Sequence, residues 1–252
     1  MTYLSDLSTK RQKCPIHGQE YDTYFLAGRW LDCPKCASEM VNDLDKKRDA
    51  AFLEEQRMKY IDAAHIPELF ADAGIKNYDA DTAEKMLVVR NVSEYLKRLR
   101  LEIKTAGNLV LSGPTGTGKT HLACAVLRTI AYSRHRARYI TSAQLVNELF
   151  ATWNNKSKSE DQVIAHYASY EVLLIDEMGL NDNRSEYAQS YLASVIDARY
   201  LAKHPTIITS NLLEDSLEKT IGDRPFDRLC ENSLMLECNW ESYRRKSKRS
   251  AA

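Results

Sequence analysis

The run Gly113-Pro114-Thr115-Gly116-Thr117-Gly118-Lys119-Thr120 has the spacing G-x-x-x-x-G-K-[ST], which suits a loop that grips polyphosphate. Glycines let the backbone curl until its N–H groups converge on phosphate oxygens. The helix expected after the loop would turn the positive end of its dipole to the same anion. Lys119 is placed to reach the β- and γ-phosphates, and the Thr120 hydroxyl to ligate Mg2+. A second signal is Asp176-Glu177, which ends the apolar run Val172-Leu173-Leu174-Ile175. Asp176 is expected to hold Mg2+, directly or through water, and Glu177 to polarise an attacking water. A third is Pro205-Thr206-Ile207-Ile208-Thr209-Ser210-Asn211. It reads as a strand whose carboxyl end presents Asn211 to a γ-phosphate or to the water. Arginines follow at Arg224, Arg228 and Arg244. Arginine suits the charge of a transferring phosphoryl group. Arg228 or Arg224 is placed to serve a neighbouring subunit's site and Arg244 its own, although Arg224 reads better as a surface residue.

A different chemistry sits near the start. Cys14-Pro15-Ile16-His17-Gly18 and Cys33-Pro34-Lys35-Cys36 form two knuckles. Cys14, His17, Cys33 and Cys36 supply four N/S ligands, the set that suits tetrahedral Zn2+. With no position left open, the expected site is structural. Tyr21, Tyr24, Phe25 and Trp30 between the knuckles are expected to form a mini-core for a small ribbon.

These residues need elements to hold them. Asn108-Leu109-Val110-Leu111-Ser112 reads as a strand into the phosphate loop, and His121 to Leu127 as the helix after it. Arg138 to Thr141 reads as a short strand, with Thr141 or Ser142 capping the helix that carries Leu145, Val146, Leu149 and Phe150. A helix is expected over Glu160–Ala168 and another around Tyr191, Leu192, Val195 and Ile196. Helical character over 37–64 ends at His65-Ile66-Pro67 and returns over about 82–104. The expected organisation is an N-terminal zinc-knuckle and helical region, residues 1–64, followed by an α/β ATPase domain, residues 65–252. Cys124, Cys230 and Cys238 read as structural.

The chain has 252 residues, 35 Lys+Arg against 35 Asp+Glu, and 44% hydrophobic residues. No global basicity advertises nucleic acid, so any such contact must be local. No apolar run has the length of a membrane span, and no apolar signal core opens the sequence, so a soluble, cytoplasmic protein is expected.

Together the motifs resemble the AAA+ ATPases, and more closely the DnaC/IstB-like group, over residues 66–252. The matching residues are Ile66-Pro67, Asn77-Tyr78, the loop and its continuation to Leu122, Leu173 to Glu177, Thr209 to Asn211, Asp227-Arg228-Leu229 and Asn239-Trp240-Glu241-Ser242-Tyr243-Arg244. The resemblance implies a parallel sheet flanked by helices and an ATP- and Mg2+-dependent ATPase. It implies that Asn211 is the sensor 1 residue, Arg228 the arginine finger, Arg244 the sensor 2 arginine, and that Tyr78 lines the adenine pocket. Asn211 lies 41 residues before the chain end, too few for a separate helical lid. The group lacks that lid, which makes the site depend on a homo-oligomer. The Cys-rich N-terminus resembles that of phage and prophage replication proteins of this group, so a bacterial or phage-infected cytoplasm is implied.

The leading functional expectation is a helicase loader that binds a replicative DNA helicase and single-stranded DNA. Lys156, Lys158, Arg184 and the basic run Arg245 to Arg249 are candidate phosphate contacts. An IstB-like transposition helper acting on duplex DNA is the alternative within the group. A nucleotide-gated adaptor with little turnover is a third reading, against which Glu177 and Arg228 both argue.

Overall fold

The computed structural model describes residues 8–154, 158–179 and 186–243. The chain falls into two compact units, divided between Gln56 and Arg57.

In the first unit, β1 (Thr9–Lys13), β2 (Glu20–Leu26) and β3 (Arg29–Trp30) form an antiparallel sheet in the order β1-β2-β3. Helix α1 (Pro34–Ala63) starts on the second knuckle; proline suits a first helical position, where its missing N–H has no intrahelical acceptor. The expected aromatic mini-core does not form. Tyr24 and Phe25 are exposed, Tyr21 and Trp30 half-buried, and the buried residues of this unit are Cys14, Thr23 and Cys33. A three-stranded sheet buries a face only when a second layer covers it, and α1 buries none of its residues. The rings pack on each other instead: Phe25 and Trp30 meet edge to face at 5.4 Å, and the Lys10 ammonium lies 4.4 Å over Trp30.

In the second unit, two 3-10 turns at Glu68–Phe70 and Ile75–Asn77 precede α2 (Ala83–Leu101). Then come β4 (Leu109–Ser112), α3 (Lys119–Tyr132), β5 (Ala137–Thr141), α4 (Ser142–Asn154), α5 (Glu160–Ala168), β6 (Val172–Met178), α6 (Glu186–Ala202), β7 (Thr206–Ser210), α7 (Glu214–Ile221), α8 (Asp223–Cys230) and β8 (Leu234–Glu237). The five strands are parallel in the order β5-β6-β7-β4-β8. Their near-continuous apolar runs are what a parallel sheet buried on both faces requires. Leu109, Leu111, Leu174 and Ile207 pack with α2 and α3, while Val110, Leu173, Ile175 and Ile208 pack with α4 to α8. Thr141 caps α4 through a reciprocal pair: the Gln144 N–H donates to Thr141 Oγ1, and the Thr141 N–H to Gln144 Oε1, each at 3.1 Å. Described residues after Asn211 return to the sheet through α7, α8 and β8. The architecture is thus a five-stranded parallel sheet flanked by helices, with no separate helical lid among the described residues.

Candidate functional site

Loop 113–118 turns from β4 into α3 at the carboxyl edge of the sheet. Gly118 has φ +89°, and a Cβ there would lie 2.5 Å from Tyr78 Cε2. Glycine is therefore required twice, by the left-handed backbone and by the tyrosine ring against it. The Tyr78 hydroxyl donates to the Thr117 carbonyl at 2.6 Å, and Trp240 Nε1 donates to the same oxygen at 3.0 Å. Two aromatic residues from distant segments thus clamp one carbonyl of the loop. Lys119 is buried, and its Nζ donates to the carbonyls of Gly113 at 2.6 Å and Pro114 at 2.7 Å. Burial lowers its pKa below the ordinary lysine value. Neutral carbonyls are weaker partners for an ammonium than phosphate oxygens are, so this lysine is poised to exchange.

Asp176, on β6, is 3% exposed. Thr120 Oγ1 donates to its Oδ1 at 3.0 Å, the Thr209 hydroxyl donates to the same oxygen, and the Tyr139 hydroxyl donates to Oδ2 at 2.8 Å. Burial and the neighbouring Asp176 push the Tyr139 phenol well above its ordinary pKa, so it remains a donor. Thr120 and Asp176 offer the hard oxygen donors that Mg2+ takes. The pairing of β6 with β7 shifts between Ile175 and Met178, and Glu177 there has φ +59°. Such irregularities re-aim side chains beside functional sites. The conformation costs roughly 1–3 kcal/mol in a non-glycine residue. It is held by the Glu177 N–H donating to Thr209 Oγ1 at 3.2 Å and by Ser142 Oγ donating to the Glu177 carbonyl at 3.0 Å.

A cavity of about 430 Å3 brings together Tyr78, residues 115–120, Glu177, Asn211 and Trp240, a size that accommodates a nucleotide. Gly113 and Pro114 close the loop beneath Lys119, and Asp176 stands behind Thr120. Arg228 is not brought to this cavity. It pairs with Asp197 and lies 5.3 Å over the Tyr200 ring. Arg224 is exposed on the same helix, α8. Arg244, Lys156, Arg184 and residues 245–249 lie outside the described residues, and Lys158 is exposed.

Several residues of the site carried no assigned role in the sequence reading. His121 Nε2 is 3.0 Å from both the Gly74 carbonyl and Asn77 Oδ1, tying the first turn of α3 to the segment carrying Tyr78. His121 and Trp240 sit inside recognised motifs, so their positions were visible although their contacts were not. Thr209 likewise lies in a recognised motif, whereas Tyr139 gave no signal. An exposed aromatic cluster was also missed. Trp153 and Tyr187, 59% and 64% exposed, meet edge to face at 5.6 Å, and Phe150 lies 5.1 Å from Trp153. Trp153 Nε1 donates to the Tyr191 hydroxyl at 2.6 Å, which fixes the indole.

In the N-terminal unit the ligand atoms of Cys14, His17, Cys33 and Cys36 all lie within 4.8 Å of one another. His17 Nδ1 is 3.6 Å from Cys14 Sγ, 3.8 Å from Cys33 Sγ and 3.4 Å from Cys36 Sγ, and the Cys14 and Cys36 sulfurs are 3.6 Å apart. Bonds of about 2.3 Å from Zn2+ to sulfur give tetrahedral edges of about this length. The second ring nitrogen of His17 is 3.0 Å from Glu39 Oε1, and Gln19 Nε2 donates to Cys33 Sγ at 3.3 Å. Such contacts orient metal ligands. The His17 backbone N–H lowers the Cys14 thiol to about 6, whereas burial and the neighbouring thiols push Cys36 up to about 12. Four N/S donor atoms crowded this closely fit a divalent cation such as Zn2+.

The comparisons with known proteins agree with this geometry. Residues 38–251 match the IstB-like ATP binding protein family. The replicative helicase loader DnaC of Escherichia coli (strain K12) is 28% identical over 202 residues, covering 78% of this chain and 81% of that protein. An ATP-binding protein of insertion sequence IS5376 from Geobacillus stearothermophilus is 32% identical over 237 residues, covering 89% and 90%. A crystal structure of the DnaC helicase loader superposes with a TM-score of 0.61 at 19% identity, over 68% of this chain and 99% of that one, a likeness of fold. No helix among the described residues is long and apolar enough to cross a membrane. The chain belongs to the IstB-like ATP-binding protein family, built on the AAA+ fold.

Proposed function

We propose that this chain is an ATP-dependent loader of a replicative DNA helicase that engages single-stranded DNA. The observation that carries the reading is the pairing of a nucleotide cradle with the exposed Trp153–Tyr187 aromatic cluster. Aromatic faces stack on unpaired bases and have little use for a closed duplex. The similarity to DnaC supports the same reading.

In this mechanism the loop amides and Lys119 bind the phosphates, and Tyr78 lines the base side of the cavity. Mg2+ held at Thr120 and Asp176 would neutralise phosphate charge. Glu177 accepts the proton of the attacking water, and Asn211 orients it. Arg228 acts in trans, completing the site of the next subunit in a homo-oligomer, which fits its place away from its own cavity. Arg244 is the in-cis arginine. The Cys/His unit carries structural Zn2+ and belongs to the partner-gripping N-terminal region, residues 1–64.

A second reading, a transposition helper on duplex DNA, is favoured by the similarity to the insertion-sequence protein. ATP hydrolysis measured with single-stranded and with duplex DNA, alongside co-purification with a replicative helicase, separates them. Stimulation by single strands together with helicase binding supports the loader. Stimulation by duplex without helicase binding transfers the assignment to the helper.

A further inference from the structure

We propose that Tyr139 is a positioning residue for the metal-binding carboxylate of Asp176; the proposal rests on reading the cavity as a site for magnesium and nucleotide. Among the described residues, the hydrogen bonds to the Asp176 carboxylate come from hydroxyls. Thr120 and Thr209 share Oδ1, and Tyr139 has Oδ2 to itself. The rotation of the carboxylate is thus set from two sides, and one side depends on a single phenol. Thr120 is the donor that would turn to a bound Mg2+, and Thr209 cannot replace a contact on the other oxygen.

The route by which Tyr139 arrives explains why no motif contains it. In the β5–β6 register Thr141 pairs with Asp176 and Tyr139 with Leu174. Tyr139 therefore starts two residues below Asp176 on the neighbouring strand, and its long side chain leans along the strand to reach it. Tyr139 also lines a second cavity, of about 490 Å3, beside His65, Arg138 and Gln144. The residue is partly buried: it packs against the core cluster on the α2/α3 face of the sheet and also borders this cavity, so the ring is only partly enclosed by packing. The hydroxyl bond holds its outer end, while the backbone N–H is fixed by the Ala64 carbonyl at 2.8 Å, just after α1 ends. A carboxylate that ligates a metal is commonly oriented by such a donor, and losing the donor weakens metal binding by about ten- to a hundredfold.

Tyr139→Phe removes only the hydroxyl. The full-length protein would be titrated with Mg2+ while binding of a fluorescent ATP analogue is followed by anisotropy, with parallel runs in EDTA and with Mn2+ binding read by electron paramagnetic resonance. The Mg2+ midpoint should rise by about tenfold or more, while analogue affinity and melting temperature in EDTA stay unchanged. Asp176→Asn, run alongside, should shift the midpoint at least as far. If Asp176→Asn shifts it and Tyr139→Phe does not, the proposal is overturned and the site stands. Equal weakening of Tyr139→Phe with and without Mg2+, or a lower melting temperature in EDTA, makes the tyrosine a strut and also overturns the proposal. If neither variant responds, or the wild type binds no analogue, the reading of the site falls first.

Discussion

Two places in this chain gather donor atoms, and they are supported in opposite ways. At the phosphate loop the donors are satisfied by the protein itself: Lys119 by two carbonyls, Asp176 by three hydroxyls. A five-stranded sheet with apolar clusters on both faces holds them in place. In the N-terminal unit the support is missing. Cys14 and Cys33 are themselves two of the three buried residues among those described there, and the aromatic side chains are exposed or half-buried. On the proposed function, a metal at the first place would be a ligand that comes and goes, whereas one at the second would stand in for the missing core.

The sharpest way to break that contrast is to remove the second metal. Chelation, or Cys33→Ser, should abolish the fold of the N-terminal unit outright, because small metal-built domains are unfolded without their ion. The ATPase unit should keep its melting transition and its nucleotide affinity. Zinc analysis with limited proteolysis reads both. If the N-terminal unit stays protected without metal, its core lies elsewhere.

The next effect in size concerns the arginine that stands outside its own cavity. Arg228→Ala should leave nucleotide binding intact and lower ATP turnover by about a thousandfold or more, as expected for a transition-state arginine. Mixing it with an excess of Glu177→Gln protein should restore part of the activity, since one variant lends the finger and the other the intact site. Failure of that complementation, with oligomers present, would assign Arg228 to its structural pair with Asp197. A smaller loss is expected inside the cradle. Gly118→Ala adds backbone strain of about 1–2 kcal/mol and must displace Tyr78; if that strain is felt in the bound loop, nucleotide affinity should fall by roughly five- to thirtyfold. Isothermal titration gives the value; an unchanged affinity would mean that Tyr78 does not define the pocket.

The same contrast governs what could be read from the residues alone. The loop at 113–120, Asp176-Glu177 and Asn211 were legible because each is a short local pattern at the end of an apolar strand, and strand ends in an open parallel sheet converge. The clustering of the four Cys/His donors was legible because two short knuckles each bring a pair of them together. The mini-core failed because aromatic residues between knuckles imply burial only when something covers them. Tyr139 and Trp240 act across large sequence separations, on Asp176 and on the Thr117 carbonyl, and periodicity carries no information about such contacts. Strand β8 was missed too: four residues beside β4 form a strand through tertiary pairing rather than through a pattern of their own.

The smallest effect falls where the sequence was least legible, on the aromatic cluster. Its members come from α4 and α6, so nothing in a linear reading joins Trp153 to Tyr187. The cluster is also unlike both donor sites, since it offers rings and no charge. Base stacking is worth about 1–3 kcal/mol by truncation, and Trp153 is already half-covered by Phe150 and Tyr191, so the lower part of that range applies. Trp153→Ala should therefore weaken single-stranded DNA binding by about five- to tenfold, with duplex binding and basal ATP turnover unchanged. Trp153→Phe should recover much of the loss, because the face is kept although the indole N–H is not. Fluorescence anisotropy on a labelled oligothymidine gives the comparison. Equal losses on single strands and duplex would remove the stacking argument and, with it, the main structural reason for preferring the loader to the duplex-binding helper.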